Sequence, residues 1–279
     1  MAMRAVLGID AAWTLTQPSG VALATNRGGR WCLTTAVPSY QSFLALADRS
    51  LKAEPRPSGS AIDVPALLAA AETLAGSSVD LIAVDMPLAH SSIVGRRTSD
   101  NIISRIYGGR KCSTHSPSSL RPGRVSDELR KGFARSGYPL QTIRIDGPGL
   151  IEVYPHPALV ELTDAPERLP YKVSKAGKYW KSATPMQRRT NLVAQWDKIA
   201  VALDEELSGV SAAFPNLGPS ASGWSMKALE DMLDAVVCAW VGICAIEGRA
   251  APFGDEDSAI WVPVTANATA SGEASGSRE

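Results

Sequence analysis

Two aspartates stand close together in an apolar segment near the C-terminal end, residues 230–246, which reads EDMLDAVVCAWVGICAI. Helical spacing places Asp231 and Asp234 on one face. Twelve uncharged, mostly apolar residues follow Asp234. This run is shorter than the roughly 20 residues of a membrane span, so it predicts a helix in a protein core. Two carboxylates there repel each other and lose hydration, so a compensating positive charge is expected beside them.

Two further acids end apolar segments that predict buried strands. Asp10 ends RAVLGID, and Asp85 comes near the end of VDLIAVDMP. If the two strands are parallel and adjacent, both carboxylates emerge at the edge of the sheet where ligand sites of open α/β sheets lie. If the helix with Asp231 and Asp234 packs on the same sheet, four carboxylates converge. Such oxygen clusters suit Mg²⁺ or Mn²⁺.

That chemistry would be phosphodiester cleavage. Two divalent ions about 3.5–4 Å apart can activate a water and stabilise the leaving oxygen, and their charge would compensate the acids. Taken singly, Asp10 and Asp85 are also typical turn residues, and Asp231 is typical of a helix first turn. The prediction of a metal centre therefore depends on the ordered set of acids.

The remaining pattern predicts the elements that position these acids. Turn signals at QPSG and NRGG predict a hairpin after the first strand. Apolar spacing and Gly/Pro punctuation predict further helices at 61–75, 185–207 and 225–247, a buried strand at 150–157, a loop at 209–223 and an edge strand at 259–263. We expect one domain over 1–264, with a basic insertion at about 88–145, and a disordered tail at 265–279. Glu152, inside the 150–157 strand, suits a metal ligand or an ion pair with an arginine.

The basic insertion predicts contacts to phosphate. From residue 96 to residue 146 there are eleven Lys/Arg and four Asp/Glu. The guanidinium group matches phosphate geometry, and a solvated face with local pairs, such as Arg97 with Asp100, is the alternative. His115 could donate a proton to a phosphate or leaving group. The arginines predicted to contact substrate phosphate are Arg96, Arg97, Arg105, Arg121 and Arg124.

Net charge, cysteine content and the lengths of apolar runs exclude few classes of function. Lys+Arg and Asp+Glu both number 28, so the net charge predicts no partner. The four scattered cysteines form no C-x-x-C motif and predict free thiols in a reducing cytosol. The first residues lack the pattern of a signal peptide, and no apolar run reaches spanning length. We therefore expect a cytoplasmic protein that is not inserted in a membrane.

Several strings resemble a known family. GIDAAW with PSGVAL, AVDMPL, THSPSSLRPG, EVYPHPA and DMLDAVVCAW resemble domain-of-unknown-function family 429, whose members are described as predicted ribonuclease H-like nucleases. The resemblance covers roughly residues 4–263, and the paired helical acids are most similar to the Holliday-junction resolvases. It implies a ribonuclease H-like mixed α/β sheet, with three antiparallel N-terminal strands, further parallel strands and flanking helices. It also implies metal-ligand roles for Asp10, Asp85 and Asp234 with Asp231 beside them. Those resolvases usually carry Glu where this chain has Asp85, a shorter arm.

The sequence thus predicts a nuclease that needs Mg²⁺ or Mn²⁺ and acts on DNA or RNA. Its expected catalytic residues are Asp10, Asp85, Asp231, Asp234, Glu152 and His115. One alternative is an ATP-dependent phosphotransferase of the actin-like or sugar-kinase type, whose first strand also ends in Asp. Against it, the loop AAWTLTQPSG lacks the paired glycines of a phosphate-binding hairpin, and no Walker loop occurs. The other alternative is a non-catalytic nucleic-acid-binding module.

Overall fold

The residues that the structure describes form a seven-stranded mixed sheet in the order β3-β2-β1-β4-β5-β7-β6. The computed structural model describes residues 3–52, 54–215, 217–218 and 221–264. Strands β1, β2 and β3 are antiparallel, β4, β5 and β7 run parallel to β1, and β6 pairs antiparallel with β7. The predicted α/β class and the three antiparallel N-terminal strands are confirmed. The strands are β1 (Arg4–Asp10), β2 (Gly20–Arg27), β3 (Arg30–Val37), β4 (Leu81–Asp85), β5 (Gly149–Val153), β6 (Ala250–Gly254) and β7 (Ala259–Pro263).

Helices cover both faces of this sheet. The central strands β1, β4 and β5 are apolar almost throughout, as is typical of strands buried on both faces. In β1, Val6 belongs to the core beneath α5, α7 and α9, and Leu7 belongs to the core beneath α1, α2 and α4. The helices are α1 (Tyr40–Ala47), α2 (Val64–Ala75), α3 (Thr98–Tyr107), α4 (Arg124–Arg135), α5 (Pro155–Thr163), α6 (Ala176–Tyr179), α7 (Pro185–Glu206), α8 (Val210–Ala213) and α9 (Gly223–Ile246).

Helix α9 lies directly on the first strands. A Cβ atom on Gly8 would lie 2.1 Å from the carbonyl oxygen of Ala235, and a Cβ on Gly20 would lie 2.1 Å from that of Asp231. Only glycine permits so close an approach of helix and sheet backbones. The contact fixes the α9 acids relative to the end of β1.

Several expected boundaries differ from the structure. The predicted strand at 150–157 ends at Val153, and α5 begins at Pro155, where the fixed φ of proline suits the first helical turn. The strand at 259–263 is not at the edge, because β6 pairs outside it. The predicted loop at 209–223 contains α8, and the basic insertion contains α3 and α4. The expected disordered tail, 265–279, lies outside the described residues.

Two further observations concern the chain as a whole. All four cysteines are free thiols, as predicted. Within the described ranges, no helix is both long enough and apolar enough to cross a membrane.

Candidate active site

The last residues of β1 and β4 stand side by side. Asp10 pairs with Asp85 in the parallel register, so the predicted meeting of these strand ends is confirmed. Since side chains alternate along a strand, Asp10 shares the face of Gly8, on which α9 packs. Both carboxylates are partly buried at the wall of a cleft.

Three acids of α9 approach the same place. Glu230, Asp231 and Asp234 are 2%, 3% and 0% exposed, so nearly all their hydration is lost. Beyond the effect of burial, the charge of Asp231 acts on the Asp10 carboxyl and raises its pKa. The sheet-edge acids and the helix acids therefore form one cluster, as the sequence predicted for Asp10, Asp85, Asp231 and Asp234.

Burial dominates the protonation of this cluster. It raises the pKa of Asp10 to about 7, with the neighbouring Asp231 charge adding to the effect. It also raises the pKa of Asp85 well above its usual value, with the charges of Asp10 and Asp234 adding to the effect. The pKa values of Asp231 and Asp234 are each raised by burial to about 6, against the opposing pull of a lysine. Such raised values are typical of functional sites.

Two lysines supply the positive charge that the α9 acids need. Lys227 lies 3.0 Å from Glu230 and also pairs with Asp231. Lys172 pairs with Asp234 and lies 3.5 Å from Glu230. Burial alone would lower the pKa of Lys172, but the Asp234 charge and its neighbours outweigh burial and raise it. Ammonium groups thus compensate the α9 acids, where the sequence led us to expect the charge of metal ions.

Hydrogen bonds complete the positioning of the α9 acids. The Tyr171 hydroxyl donates to Asp234 at 2.7 Å, and the backbone N–H of Val173 donates to Glu230 at 2.6 Å. Asp10 and Asp85 differ, because within the described ranges neither forms an ion pair. The two lysines pair with the α9 acids instead, and their charges only partly offset the raised pKa of Asp10. The two strand-end acids are therefore the carboxylates left open to a ligand.

Glu152 forms an ion pair with Arg97. The Arg97 guanidinium lies 2.8 Å from one Glu152 oxygen and 3.0 Å from Asp100, and it also donates to the Leu88 carbonyl at 2.8 Å. The Leu88 N–H donates to Glu152 at 2.7 Å. Burial nevertheless raises the pKa of Glu152 to about 7, against the effect of Arg97. Of the two interpretations of Glu152, the ion pair is the one that the structure shows. Arg97 also pairs with Asp100, which was the alternative to phosphate binding given for Arg97.

The cleft beside these acids has a volume of about 930 Å³, at the upper end of the usual range for ligand pockets. The predicted residues that line it are Asp10, Asp85, Asp231, Glu152, His115, Arg97 and Arg121. Asp234 lies beneath its surface, fully buried. Trp13 also lines the cleft, and the Arg121 guanidinium lies 5.8 Å from the centre of its ring. The pair provides an aromatic and cationic rim.

The other predicted phosphate ligands lie elsewhere. Arg96 is exposed, and its guanidinium donates to the Asp100 carbonyl at 2.9 Å and the Ser104 hydroxyl at 2.8 Å, which anchors it to α3. Arg105 is exposed outside the cleft, and Arg124 lies 3.4 Å from Glu128 on the surface of α4. The structure thus brings Arg97 and Arg121 to the cleft and places these three arginines away from its lining.

Sequence reasoning missed the two lysines and Glu230 as members of the cluster. Lys227 precedes Asp231 by four residues, a spacing that pairs side chains on a helix, so this contact could have been read from the sequence. Lys172 is 62 residues from Asp234 and gave no local signal. Arg168, Lys175 and His156 also line the cleft and were not among the predicted site residues.

No group of three or more His, Cys, Asp or Glu side chains in the described part of the chain has the arrangement of a metal site. The oxygen donors of Asp10 and Asp85 nonetheless match the chemistry of Mg²⁺, which keeps several waters and takes one or two protein carboxylates together with substrate phosphates. The donor set therefore fits such an ion held jointly by protein and substrate.

Comparison with known proteins places the chain in a family without an assigned activity. No curated protein and no solved structure gave a significant match. One family model matches residues 8–259, nearly the whole chain, and this agrees with the resemblance seen in the sequence. The chain belongs to the family described as protein of unknown function (DUF429).

Proposed function

We propose that this protein is a nuclease of ribonuclease H-like type that hydrolyses phosphodiester bonds with Mg²⁺ or Mn²⁺. The observation that carries the proposal is the register of β1 and β4, which sets Asp10 beside Asp85 at a cleft, each without an ion pair among the described residues. A cation would offset the repulsion between such neighbouring carboxylates, and raised pKa values of this kind are typical of functional sites. The sequence resemblance to predicted nucleases supports the same reaction.

Asp10 and Asp85 would hold the metal in this proposal. When bound, Mg²⁺ or Mn²⁺ would polarise the phosphodiester and activate a water for attack. Burial and the charge of the neighbouring Asp231 would favour the protonated form of Asp10 until a cation binds. Since the pKa of Asp10 is about 7, its proton leaves near neutral pH, which makes metal binding stronger as the pH rises.

The lysines have a positioning role in this proposal. Lys172 and Lys227 neutralise the α9 acids that would otherwise repel a substrate phosphate. Arg121 beside Trp13 offers a cation and an aromatic face at the rim, where a nucleobase could stack. These features favour a nucleic acid over a small uncharged substrate.

The test is cleavage of a labelled panel of single-stranded, duplex and branched DNA and RNA, with Mg²⁺, Mn²⁺ or chelator. We expect cleavage with metal, none with chelator, and at least a roughly hundred-fold loss in Asp10→Asn and Asp85→Asn, as removal of a major charge-stabilising group gives. The matched control is Asp146→Asn, because Asp146 lies on the surface in an exposed pair with Arg144.

Two results would contradict the proposal. Cleavage by folded Asp10→Asn at the unmodified rate would show that the cluster is not catalytic. Absence of cleavage by the unmodified protein across the panel, together with tight metal-independent binding of the same nucleic acids, would favour the non-catalytic binding module. A nucleotide titration of the same samples tests the phosphotransferase alternative, which requires ATP binding in this cleft.

A further inference from the structure

The start of α5 presents a buried histidine to the cleft. His156 lines the cleft, is 5% exposed, and its Nδ1 atom has no hydrogen-bond partner. The rings of Tyr154 and Tyr171 pack edge-on against it, each with a centroid distance of 5.3 Å. The imidazole is therefore held in place by packing, while one of its polar atoms is left without a partner.

Arg168 lines the same cleft and is also incompletely paired. Its Nε atom is buried and has no hydrogen-bond partner. Two nearby acids pair with other cations, since Glu161 pairs with Arg110 at 2.7 Å and Glu167 pairs with Lys111, while Asp164 is exposed at the end of α5. Within the described ranges, Arg168 thus forms no ion pair, and its charge faces the cleft uncompensated.

The groups around Arg168 do not supply a negative charge. Burial, then the Lys172 charge and then the Arg168 charge lower the pKa of His156, so the imidazole is neutral near pH 7. Burial raises the pKa of Tyr154 and of Cys112, so both stay protonated there. A buried hydrogen-bond donor without an acceptor destabilises a protein unless a ligand or a water molecule supplies the acceptor atom. An anion with several acceptor oxygens would satisfy Arg168 and accept from the imidazole N–H.

Phosphate is the anion that fits best. The guanidinium fork matches phosphate oxygens, and the amino end of α5 adds a favourable dipole. Asp85, Tyr154, His156 and Arg168 all line the one cleft, so a substrate bound at Asp85 lies in the same cleft as Arg168.

We propose that Arg168 and His156 form a subsite for a substrate phosphate other than the one that reacts. This identification of the ligand rests on the proposed hydrolysis at Asp10 and Asp85. The phosphate belongs either to the backbone of a nucleic acid or to a terminal phosphate, and both present the same oxygens. The subsite sets the position of the substrate along the cleft.

Binding of inorganic phosphate in chelator tests the subsite apart from catalysis. Phosphate is added at constant ionic strength, with chloride as the reference anion, and the ring signals of isotope-labelled histidines are followed by NMR. We expect the His156 signals to move with saturation and the signals of exposed His90 to stay. Arg168→Gln should weaken phosphate binding about ten-fold or more, the factor that loss of about 1.4 kcal/mol of charge-assisted hydrogen bonding gives.

Two further variants make the result specific. Arg144→Gln removes an exposed arginine that does not line the cleft, and it should bind phosphate like the unmodified protein. Arg168→Lys keeps the charge and should retain part of the affinity even if Arg168→Gln does not fold. Unmoved His156 signals in the unmodified protein, or equal phosphate affinity of folded Arg168→Gln and Arg144→Gln, would overturn the proposal.

Oligonucleotides with and without terminal phosphates distinguish the two sources. If Arg168→Gln slows cleavage of both to the same extent, the subsite takes a backbone phosphate; if it slows only the phosphorylated ones, the subsite takes a terminal phosphate. Equal cleavage by Arg168→Gln and the unmodified protein at sub-saturating substrate would refute a role in substrate binding. Failure of the hydrolase proposal would instead show as phosphate binding at His156 without any metal-dependent cleavage.

Discussion

Neutralising Asp10 should stabilise the metal-free protein, and the gain should depend on pH. The pKa of Asp10 is raised from 3.8 to about 7 because the carboxyl is partly buried and lies near the charge of Asp231. An acid with a raised pKa in the folded state binds its proton more tightly there than in the unfolded chain. The stabilisation that protonated Asp10 contributes is therefore fully present below about pH 4, and it is lost as the pH rises through about 7. Asp10→Asn mimics the protonated acid and should not suffer that loss.

The size of the gain follows from the two pKa values. At about 1.4 kcal/mol per pKa unit, the difference between 3.8 and about 7 corresponds to at most about 4 kcal/mol above pH 7. Part of the repulsion also acts on Asp85 and Asp231, and solvent screens the partly exposed Asp10 carboxyl. We therefore expect Asp10→Asn to gain about half of this limit, or about 2 kcal/mol. At about 2–4 °C per kcal/mol for a chain of this size, Tm should rise by about 4–8 °C.

The assay is a series of thermal melts in chelator, from pH 4.5 to pH 8.5, followed by circular dichroism. Asp10→Asn should melt above the unmodified protein at pH 8, and the two curves should converge toward pH 4.5. Asp146→Asn is the control, because Asp146 is exposed and paired at the surface with Arg144. It should follow the unmodified protein at every pH.

Two outcomes would refute this reasoning. If Asp10→Asn melts no higher than the unmodified protein at pH 8, burial of the Asp10 charge does not strain the fold. If the difference in Tm is the same at pH 4.5 as at pH 8, the gain comes from packing of the amide and not from its lack of charge.

Three other predictions address the cluster and its support. Mn²⁺ at 100 times its Kd should stabilise the unmodified protein by about 2.7 kcal/mol, seen as a higher Tm with Mn²⁺ than with chelator. This difference in Tm should be lost in Asp85→Asn and retained in Asp146→Asn. Lys172→Met leaves Asp234 without its ion pair and should lower the free energy of unfolding in urea by about 3–5 kcal/mol. The control Lys111→Met loses only an exposed pair and should lower it by less than about 1 kcal/mol. Equal losses in the two variants would contradict the compensating role of Lys172. Gly8→Ala forces a Cβ against α9 and should cost at least about 3 kcal/mol or prevent folding, while Gly109→Ala, which has open space around it, should be nearly neutral in the same unfolding assay; a stable Gly8→Ala would show that α9 can shift.

The sheet-edge half of the site could be predicted from the sequence because its signals are local. Apolar runs that end in Asp10 and Asp85 indicate buried strands, and the intervening helical pattern implies a crossover that returns to a parallel position. The structure pairs those two residues directly. The spacing of Asp231 and Asp234 likewise placed both on one helix face.

The compensation of charge could not be predicted, because it depends on distant residues. Lys172 reaches Asp234 across 62 positions, and nothing in its own basic segment distinguishes it from the neighbouring lysines. Arg97 meets Glu152 across 55 positions, so the sequence left the pairing of Glu152 open. The start of α5 was also missed, because Val153 and Tyr154 continue the strand pattern of β5 up to Pro155 without a turn signal.

The close contact of α9 with β1 and β2 has a consequence for the order in which the chain is made. The ribosome completes β1, β2 and β4 long before α9 exists, so the sheet face that α9 covers stays without its partner through most of synthesis. Such an apolar face is prone to aggregation while it waits. A chain interrupted before Gly223 carries Asp10 and Asp85 but lacks Lys227 and the covering helix. The complete acidic cluster therefore forms only in chains that are nearly finished.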